Sequence, residues 1–470
     1  MKKTRIICLI LTAILLIGGV APKVDAAADQ SVTRGPYSVD ALVTVSDKGK
    51  MLDTAKAVIL YERNSDSMVY TYQPDRQIYP SSMVKLMTVL LAIEKANLQD
   101  TVRVTMRALS LMEVGSVSAG LVAGEELSLE ALLYCTMAAS ANDAAIMVAE
   151  YVGGSEEDFV VMMNQRAAEL GMTQTKYTNS HGLHDPNSVT TARDICRLLD
   201  YALDNETFRA MFDATEYTIP ATNKSEARTI VTTNHFTSKA TIKKYYDERV
   251  TGGKTGSTNE AGRCLAITAE GEGMELLSIV MGAQPTYEPD GVNLATFGSF
   301  EETKELLDYA FENYSCRQLL YQGQALVQYP VTGGGNHVVA GPAETRYAVL
   351  PKGTEMKDLT WIYGDAVGAV SAPVEAGTAL SSVQVWHGSK CMAYAELVAI
   401  NSVPVWQAPI DPERMPVQES NVWGVILTVL GIILAIGLVA LAVIFLLPVI
   451  RNTLKNSRRK NRRRDRRRSR

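Results

Sequence analysis

The chain has 470 residues, of which 47% are hydrophobic and 21% are charged, and its formal net charge is −5. This length allows two or three domains and at least one large core. The charge is unevenly distributed, with +3 on residues 1–26 and +11 on residues 451–470, which leaves −19 on the chain between them. An acidic body argues against nucleic acid or anionic lipid as its main ligand.

The first residues have the pattern of a secretory signal peptide. Lys2, Lys3 and Arg5 are basic, residues 6–20 are apolar, and Val24-Asp25-Ala26 offers small residues for cleavage after Ala26. The apolar run is short for a membrane span. We therefore predict a signal peptide over residues 1–26 and an exported mature protein.

The next part of the chain predicts a sheet with flanking helices. Residues 57–61 and 68–72 indicate a hairpin, and residues 264–269 and 276–281 indicate a second one. The predicted helices are a buried one that starts near Pro80 and Ser81 and runs to Ile93, then 128–138, 143–153, 155–171, 191–203 and 300–314. The segment 205–250 is polar and mixed. Residues 40–315 thus predict one α/β (α+β) domain.

The remainder predicts a small β domain followed by a membrane anchor. Residues 318–402 contain short β-rich runs broken by Gly and Pro, and residues 403–420 form a Pro-rich linker. Residues 422–450 are apolar and long enough to cross a bilayer, and residues 451–470 form a basic tail. By the positive-inside rule the tail is cytoplasmic and the body lies outside the cell membrane.

Cysteine and histidine patterns give little support for a metal or redox site. After loss of Cys8 with the signal peptide, five cysteines remain, and no C-x-x-C spacing occurs. One disulfide is compatible with this number. His181 and His184 with Asp185 resemble a zinc ligand set, but they fall in a polar segment that we interpret as a structural loop. We predict no metal.

Three short motifs carry the chemistry. Ser82 and Lys85 lie three residues apart at the start of the buried helix, which places both side chains on one face. Burial and the positive field of the helix terminus favour a neutral lysine amine, which can act as a general base for the serine hydroxyl. The second motif is Ser140-Ala141-Asn142 and the third is Lys254-Thr255-Gly256, directly before a predicted hairpin. Another S-x-x-K, at Ser457, lies in the basic tail, so the order and context of all three motifs matter more than any one.

In these motifs the chain resembles the serine penicillin-recognising enzymes, and more narrowly the D-alanyl-D-alanine carboxypeptidases, which are low-molecular-mass penicillin-binding proteins. The segments 181–183 and 190–194 and the layout with an export signal, β domain and C-terminal anchor extend the resemblance. Departures are Ala141, where glycine is common, Ser188-Val189, where relatives often carry histidine, and the full membrane span.

The resemblance implies a role for each site residue. Ser82 would be acylated and Lys85 would take its proton, while Ser140 would relay a proton towards the leaving D-alanine. Asn142 would bind the substrate amide, Lys254 and Thr255 would bind the terminal carboxylate, and Gly256 would allow close approach. The backbone N–H groups of Ser82 and Ser257 would form an oxyanion hole. The implied partners are peptidoglycan stem peptides, with β-lactams as inhibitors and no cofactor.

Three alternatives were weighed against a carboxypeptidase. A class A β-lactamase would carry a deacylating glutamate motif about 35 residues after the second motif, and none occurs near Lys176. An endopeptidase that cuts peptide cross-links would share all three motifs, so that alternative stays open. A non-catalytic receptor for β-lactams or muropeptides would suit the single span, but the tail has no room for a signalling domain.

Overall fold

A computed structural model describes residues 49, 52–113, 115–239, 241–287, 294–365, 368, 370–407 and 422–465. The predicted signal peptide, residues 408–420 of the predicted linker and the last five residues of the tail lie outside these described residues.

The strands in the described residues are β1 (Ala57–Glu62), β2 (Ser67–Tyr72), β3 (Thr101–Arg103), β4 (Glu126–Ser128), β5 (Glu216–Ile219), β6 (Arg228–Val231), β7 (Val250–Thr258), β8 (Gly262–Gly271), β9 (Met274–Ala283), β10 (Thr286–Tyr287), β11 (Leu294–Thr296), β12 (Tyr314–Leu320), β13 (Val327–Pro330), β14 (His337–Pro342), β15 (Arg346–Pro351), β16 (Leu359–Tyr363), β17 (Ala379–His387) and β18 (Lys390–Ala399). The helices are α1 (Val84–Lys95), α2 (Met106–Ser110), α3 (Leu129–Met137), α4 (Asn142–Gly153), α5 (Glu156–Glu169), α6 (Ala192–Ala202), α7 (Glu206–Asp213), α8 (Gly298–Asn313) and α9 (Val422–Asp465). Short 3-10 turns occupy Ser81–Met83, Lys243–Tyr245 and Met356–Asp358.

The first domain is built on a five-stranded antiparallel sheet with the order β2-β1-β9-β8-β7. Both predicted hairpins, β1–β2 and β8–β9, are confirmed, and β1 pairs along its whole length with β9. The pairing of β1 with β9 therefore joins the strand that comes first in the chain to the strand of this sheet that comes last. The strand order also places β7, which carries the third motif, at an edge.

Both faces of this sheet are buried, because alternate residues of a strand point to opposite sides. Ile59 and Tyr61 pack into a cluster with residues of α1 and α3 to α6, whereas Val58 and Leu60 pack on the other side with residues of α8. This burial on both sides explains why β1 reads as a continuous apolar run instead of an alternating one.

Three of the six predicted helix starts are confirmed by side-chain caps. Ser128, Ser155 and Thr191 each accept a hydrogen bond from the backbone N–H three residues ahead. The start of the buried helix differs from the prediction. Ser81 does not cap it but lies in a 3-10 turn with φ at 45°, and α1 begins at Val84.

Helix α7 was not predicted, because it falls in the polar segment 205–250. Asn205 caps it by accepting a hydrogen bond from the N–H of Phe208. The buried residues Phe208, Met211 and Phe212 recur at helical spacing. A polar capping residue followed by apolar residues at this spacing is the sequence pattern from which α7 could have been predicted.

The second domain is a β half-barrel. It consists of the sheet β13-β14-β18-β17-β16 and the pair β12–β15, with a core that includes Leu320, Val338 and Val383. β12 begins at Tyr314, directly after α8 ends at Asn313. The strand thus runs across the interval between the two predicted domain ranges, 40–315 and 318–402.

Helix α9 forms a separate unit of its own. Its segment Trp423–Val449 has 27 residues and is long and apolar enough to cross a membrane. The helix continues into the basic tail as far as Asp465.

Candidate active site

The first motif brings a serine hydroxyl and a buried amine together. Ser82 lies in the 3-10 turn and Lys85 in the first turn of α1, so both side chains point to the same side. Lys85 Nζ lies 3.1 Å from Ser82 Oγ, and the Lys85 side chain is completely buried. The predicted nucleophile and base are therefore in direct contact.

The surroundings of Lys85 favour its neutral form. Burial lowers its pKa well below the usual value, and the positive charge of Lys254 lowers it further, against an opposing effect of Asp143. The sequence predicts burial and the positive field of the helix terminus as the causes. In the structure burial comes first and a second lysine comes next.

The hydrogen bonds of Lys85 also direct its lone pair. Nζ donates to Asn142 Oδ1 at 2.7 Å and to the carbonyl oxygen of His181. A neutral amine has two N–H groups, and these two acceptors use both of them. The remaining lone pair then faces the hydroxyl of Ser82, as a general base requires.

The second and third motifs meet next to this pair. Ser140 lies between α3 and α4 with φ at 59°, and its Oγ accepts a hydrogen bond of 2.7 Å from Lys254 Nζ. Lys254 is completely buried and also donates to the carbonyl oxygen of Thr255 at 3.0 Å. Burial lowers the pKa of Lys254 to about 7. Burial thus favours the neutral amine in both lysines of the site.

Asp143 holds the second motif in place. Its carboxylate accepts hydrogen bonds from Ser118 Oγ at 2.6 Å, from the N–H of Ala119 at 2.9 Å and from the N–H of Leu121 at 3.2 Å. It therefore ties the loop 118–121 to the start of α4. Asp143 is thus a structural acid in the first turn of α4, where the helix dipole favours negative charge.

The loop that contains His181 supports the base of the first motif, because the carbonyl oxygen of His181 accepts a hydrogen bond from Lys85 Nζ. Glu156 accepts hydrogen bonds from Ser180, and His181 Nδ1 accepts one from the N–H of Leu183 at 3.2 Å. Burial lowers the pKa of His181 to about 3, with a smaller contribution whenever Lys85 is protonated, so the ring of His181 is neutral. Within the described residues no group of His, Cys, Asp and Glu is arranged to hold a metal ion.

Two glycines pack against the turn that carries the nucleophile. A Cβ on Gly256 would lie 2.4 Å from Ser81 Oγ and 3.3 Å from the nitrogen of Ser82. A Cβ on Gly182, which has φ at 85°, would lie 2.1 Å from the carbonyl oxygen of Ser81. In the structure, the turn that contains Ser81 and Ser82 approaches Gly256 closely. The absence of a side chain at Gly256 therefore allows β7 to pack against Ser82.

These elements line a cleft of about 390 Å³ that is open to solvent. Its lining residues are Ser82, Val117, Ser140, Thr232, Thr233, His235, Thr255, Gly256, Ser257, Arg263, Cys264, Phe297, Ser299 and Phe300. Lys85 and Lys254 lie beneath its floor, and Asn142 is 5% exposed. The structure therefore brings all eight predicted site residues to one place.

Part of the cleft wall comes from residues that the three motifs do not include. Thr233, His235, Arg263, Phe297 and Phe300 belong to it but to none of the three motifs. Arg263 could have been found, because the predicted hairpin next to β7 places it opposite Ser257. No comparable signal marked the other four.

Comparison with known proteins agrees with this site. Residues 43–285 match the family model described as D-alanyl-D-alanine carboxypeptidase, peptidase S11. The chain is 28% identical over 351 residues to the D-alanyl-D-alanine carboxypeptidase DacF of Bacillus subtilis, covering 73% of this chain and 85% of that protein. It is 28% identical over 359 residues to the D-alanyl-D-alanine carboxypeptidase DacA of Haemophilus influenzae, covering 74% and 85%.

The fold also matches a solved structure. The crystal structure of penicillin binding protein 5 from Haemophilus influenzae superposes with a TM-score of 0.63 at 26% identity. The match covers 76% of this chain and all of that one. It confirms the predicted transpeptidase-like α/β domain followed by a β domain.

Proposed function

The chain belongs to the peptidase S11 family of D-alanyl-D-alanine carboxypeptidases, and on that premise we propose that it removes the terminal D-alanine from pentapeptide stems of peptidoglycan through an acyl-enzyme on Ser82. One observation supports the proposal above the others. Ser82 Oγ lies 3.1 Å from a fully buried lysine amine whose pKa is lowered and whose two N–H groups already have acceptors.

Acylation begins with attack on the carbonyl carbon of the penultimate D-alanine. Lys85 Nζ takes the proton of Ser82 while the Oγ–C bond forms, a contribution that is typically about 10²–10⁴-fold in rate. The oxygen of the resulting tetrahedral intermediate faces the backbone N–H groups of Ser82 and Ser257. Gly256 packs against the Ser82 nitrogen, which supports this placement of the two donors.

The leaving group needs a proton before the C–N bond breaks. Ser140 lies in the cleft wall and is hydrogen-bonded to Lys254, so its hydroxyl can give a proton to the departing amine and recover one from Lys254. The side chain of Asn142 uses Oδ1 to bind Lys85, which leaves its amide N–H₂ for a carbonyl of the substrate. D-alanine then leaves, and the stem remains as an ester on Ser82.

Lys85 must first pass on the proton that it took from Ser82, which replaces the proton that Lys254 gave up through Ser140. Water then attacks the ester while Lys85 takes a proton from it, and Lys85 returns this proton to Ser82 Oγ as the ester C–O bond breaks. A β-lactam would follow the same first step, because its strained amide places a carbonyl carbon before the same nucleophile. The cleft lining contains no aspartate or glutamate that could activate water independently. We therefore expect the penicilloyl ester to hydrolyse slowly.

We also propose where the protein lies. Residues 1–26 would direct export, the domains over 40–315 and 318–402 would face the wall, and a linker over 403–420 would lead to a span over 422–450 with residues 451–470 in the cytoplasm. The exposed apolar segment of α9 supports the span. The basic tail supports its orientation.

D-alanine release tests the function. The purified full chain in detergent micelles is incubated with a stem pentapeptide, and free D-alanine is measured. The protein should release it, Ser82→Ala should not, and Ser457→Ala, in the second S-x-x-K pattern, should behave as wild type. Absence of release, or release that survives Ser82→Ala, would overturn the proposal.

A further inference from the structure

Glu156 holds the backbone next to the base of the first motif. It is the first residue of α5, and its side chain is 15% exposed. Its Oε1 accepts two hydrogen bonds from Ser180, at 3.0 Å from the backbone N–H and at 2.7 Å from Oγ. The ring of His181 lies against the same oxygen, with Nε2 at 3.5 Å. One carboxylate oxygen therefore contacts three polar groups of two consecutive residues.

The ring of His181 is oriented for this contact. Its Nδ1 accepts a hydrogen bond from the N–H of Leu183 at 3.2 Å, and its pKa of about 3 keeps the ring neutral. A neutral imidazole whose Nδ1 is an acceptor carries its hydrogen on Nε2, so this bond assigns the tautomer. The N–H group of Nε2 is the one that faces Glu156 Oε1.

The same segment presents the carbonyl oxygen of His181 to Lys85. This oxygen accepts a hydrogen bond from Lys85 Nζ. A contact from α1 supports the preceding residue, because Thr88 Oγ1 donates to the carbonyl oxygen of Ser180 at 2.6 Å. Ser180 is completely buried and His181 is 8% exposed, so their polar groups depend on partners from the protein.

We propose that Glu156 is a positioning residue for acylation: it fixes the carbonyl oxygen of His181, and that oxygen keeps the lone pair of Lys85 directed at Ser82. This inference rests on the proposed function and adds to it a residue outside the three motifs. Glu156 acts as a hydrogen-bond acceptor and not through its charge, because Ser180 and the ring of His181 are both neutral.

The loss of this acceptor has a direct consequence for the base. Without Glu156 the N–H and Oγ–H groups of Ser180 are buried without a partner, and the segment must shift to satisfy them. One of the two N–H groups of Lys85 then loses its acceptor at His181. The amine can turn its lone pair away from the Ser82 hydroxyl, and proton transfer becomes slower.

Acylation by a fluorescent penicillin tests this role. The full chain in detergent micelles is mixed with increasing concentrations of the penicillin, which separates the rate constant of acylation from the dissociation constant of the preceding complex. The variants are Glu156→Ala, Glu156→Gln and Glu156→Asp. The matched control is Glu157→Ala, which changes the next residue of α5, a side chain that is 77% exposed. Thermal unfolding checks that each variant is folded.

The three variants separate the acceptor from the charge. Glu156→Ala should lower the rate constant of acylation about 10–100-fold at an unchanged dissociation constant, on the scale of a buried donor left without a partner. Glu156→Gln offers an oxygen to the same donors and should stay within about fivefold of wild type. Glu156→Asp keeps the charge but is too short to reach Ser180, so it should lose rate as alanine does. It carries the test if the alanine variant is unstable.

A chain without the base provides a second readout. Lys85→Met should be acylated slowly, and the addition of Glu156→Ala should not slow it further, because Glu156 acts through Lys85. General loosening of the site would instead slow acylation by a similar factor in both backgrounds. Glu157→Ala should match wild type in rate constant and in dissociation constant.

The outcomes separate this inference from the function on which it rests. A wild-type chain that neither reacts with the penicillin nor releases D-alanine from a stem pentapeptide overturns the proposed function. An active wild type whose acylation is unchanged in Glu156→Ala and Glu156→Asp overturns the role of Glu156. An equal loss in Glu156→Gln and Glu156→Asp also overturns it, as does a loss that persists in the Lys85→Met background.

Discussion

Lys254 Nζ donates a hydrogen bond to Ser140 Oγ at 2.7 Å from a completely buried position, directly beneath the cleft. Lys85 is buried beside Ser82, and the charge of Lys254 lowers its pKa. Burial favours the neutral amine in both lysines, and it lowers the pKa of Lys254 to about 7.

This arrangement predicts a bell-shaped dependence of kcat/KM on pH. At low pH Lys85 becomes protonated and can no longer accept the proton of Ser82. As pH rises through about 7, Lys254 loses its proton, so Ser140 can no longer be resupplied for the leaving amine. We expect an alkaline limb near pH 7, measured by D-alanine release from pH 5 to 10. Lys254→Arg stays charged and should lose that limb; an unchanged limb would argue against this role of Lys254.

Substitution of Lys85 should stop acylation whether or not the positive charge is kept. Lys85→Met removes the base, and Lys85→Arg replaces it with a group that stays protonated. Both should slow acylation by a fluorescent penicillin by about 10²–10⁴-fold, followed by gel fluorescence over time. A near-normal rate in Lys85→Arg would show that the neutral amine is not needed.

Gly256→Ala should displace the nucleophile. The added Cβ would lie 2.4 Å from Ser81 Oγ, so the turn that carries Ser82 must shift. We expect acylation to slow about 100-fold, on the scale of a lost oxyanion donor. Ser81→Gly removes the clashing hydroxyl and suits the φ of 45°, so the double variant should recover much of the rate.

Gly49→Ala provides the control for this pair, because a Cβ there would meet no atom within 4 Å. The Gly49→Ala variant should be acylated by the fluorescent penicillin at the wild-type rate. Failure of Ser81→Gly to recover any rate would show that the defect of Gly256→Ala arises elsewhere than at Ser81.

Asp213→Asn should stabilise the protein at neutral pH. Burial raises the pKa of Asp213 to about 6, and its Oδ1 has no hydrogen-bond partner. A carboxyl group with a raised pKa binds its proton more tightly in the folded state, so stability falls as pH rises from about 4 to 6. The neutral amide avoids this loss.

Thermal unfolding at two pH values checks the prediction. The Tm of Asp213→Asn should exceed that of wild type by roughly 2–6 °C at pH 7.5, on the scale of a buried polar group relieved of its charge. The difference should shrink towards zero at pH 4, where the wild-type carboxyl is protonated. A lower Tm of the variant at pH 7.5 would contradict the prediction.

Removal of α9 should release the protein from membranes. A chain that ends after Trp406 lacks the apolar segment Trp423–Val449 and should appear in the soluble fraction after cell lysis. A chain that lacks only residues 451–470 should stay with the membranes, because the span is intact. If the chain that ends after Trp406 stayed with the membranes, this result would indicate a second membrane contact in the body of the protein.

Local patterns in the sequence predicted much of the fold and the chemistry. The β1–β2 and β8–β9 hairpins follow from apolar runs separated by turn residues, and the caps at Ser128, Ser155 and Thr191 follow from short polar signals. The three motifs identify the nucleophile and its partners because each one is contiguous. These features depend on neighbours along the chain.

What could not be predicted depends on contacts across the chain. Thr233 and His235 lie after α7 in a polar stretch that shows no periodicity, and Phe297 is far along the chain from all three motifs. These residues form one wall of the cleft only because the fold brings them together. The contribution of Lys254 to the pKa of Lys85 likewise requires their proximity in space. The turn at Ser81 was predicted as a helix cap because serine favours that position, but packing against Gly182 and Gly256 imposes another backbone conformation.

Ser81 lies between Gly182 and Gly256, with no room for even one extra methyl group on either side. Substitutions at either glycine should therefore be felt at Ser82, because the turn that carries this nucleophile has no free space into which it can move without repacking its neighbours.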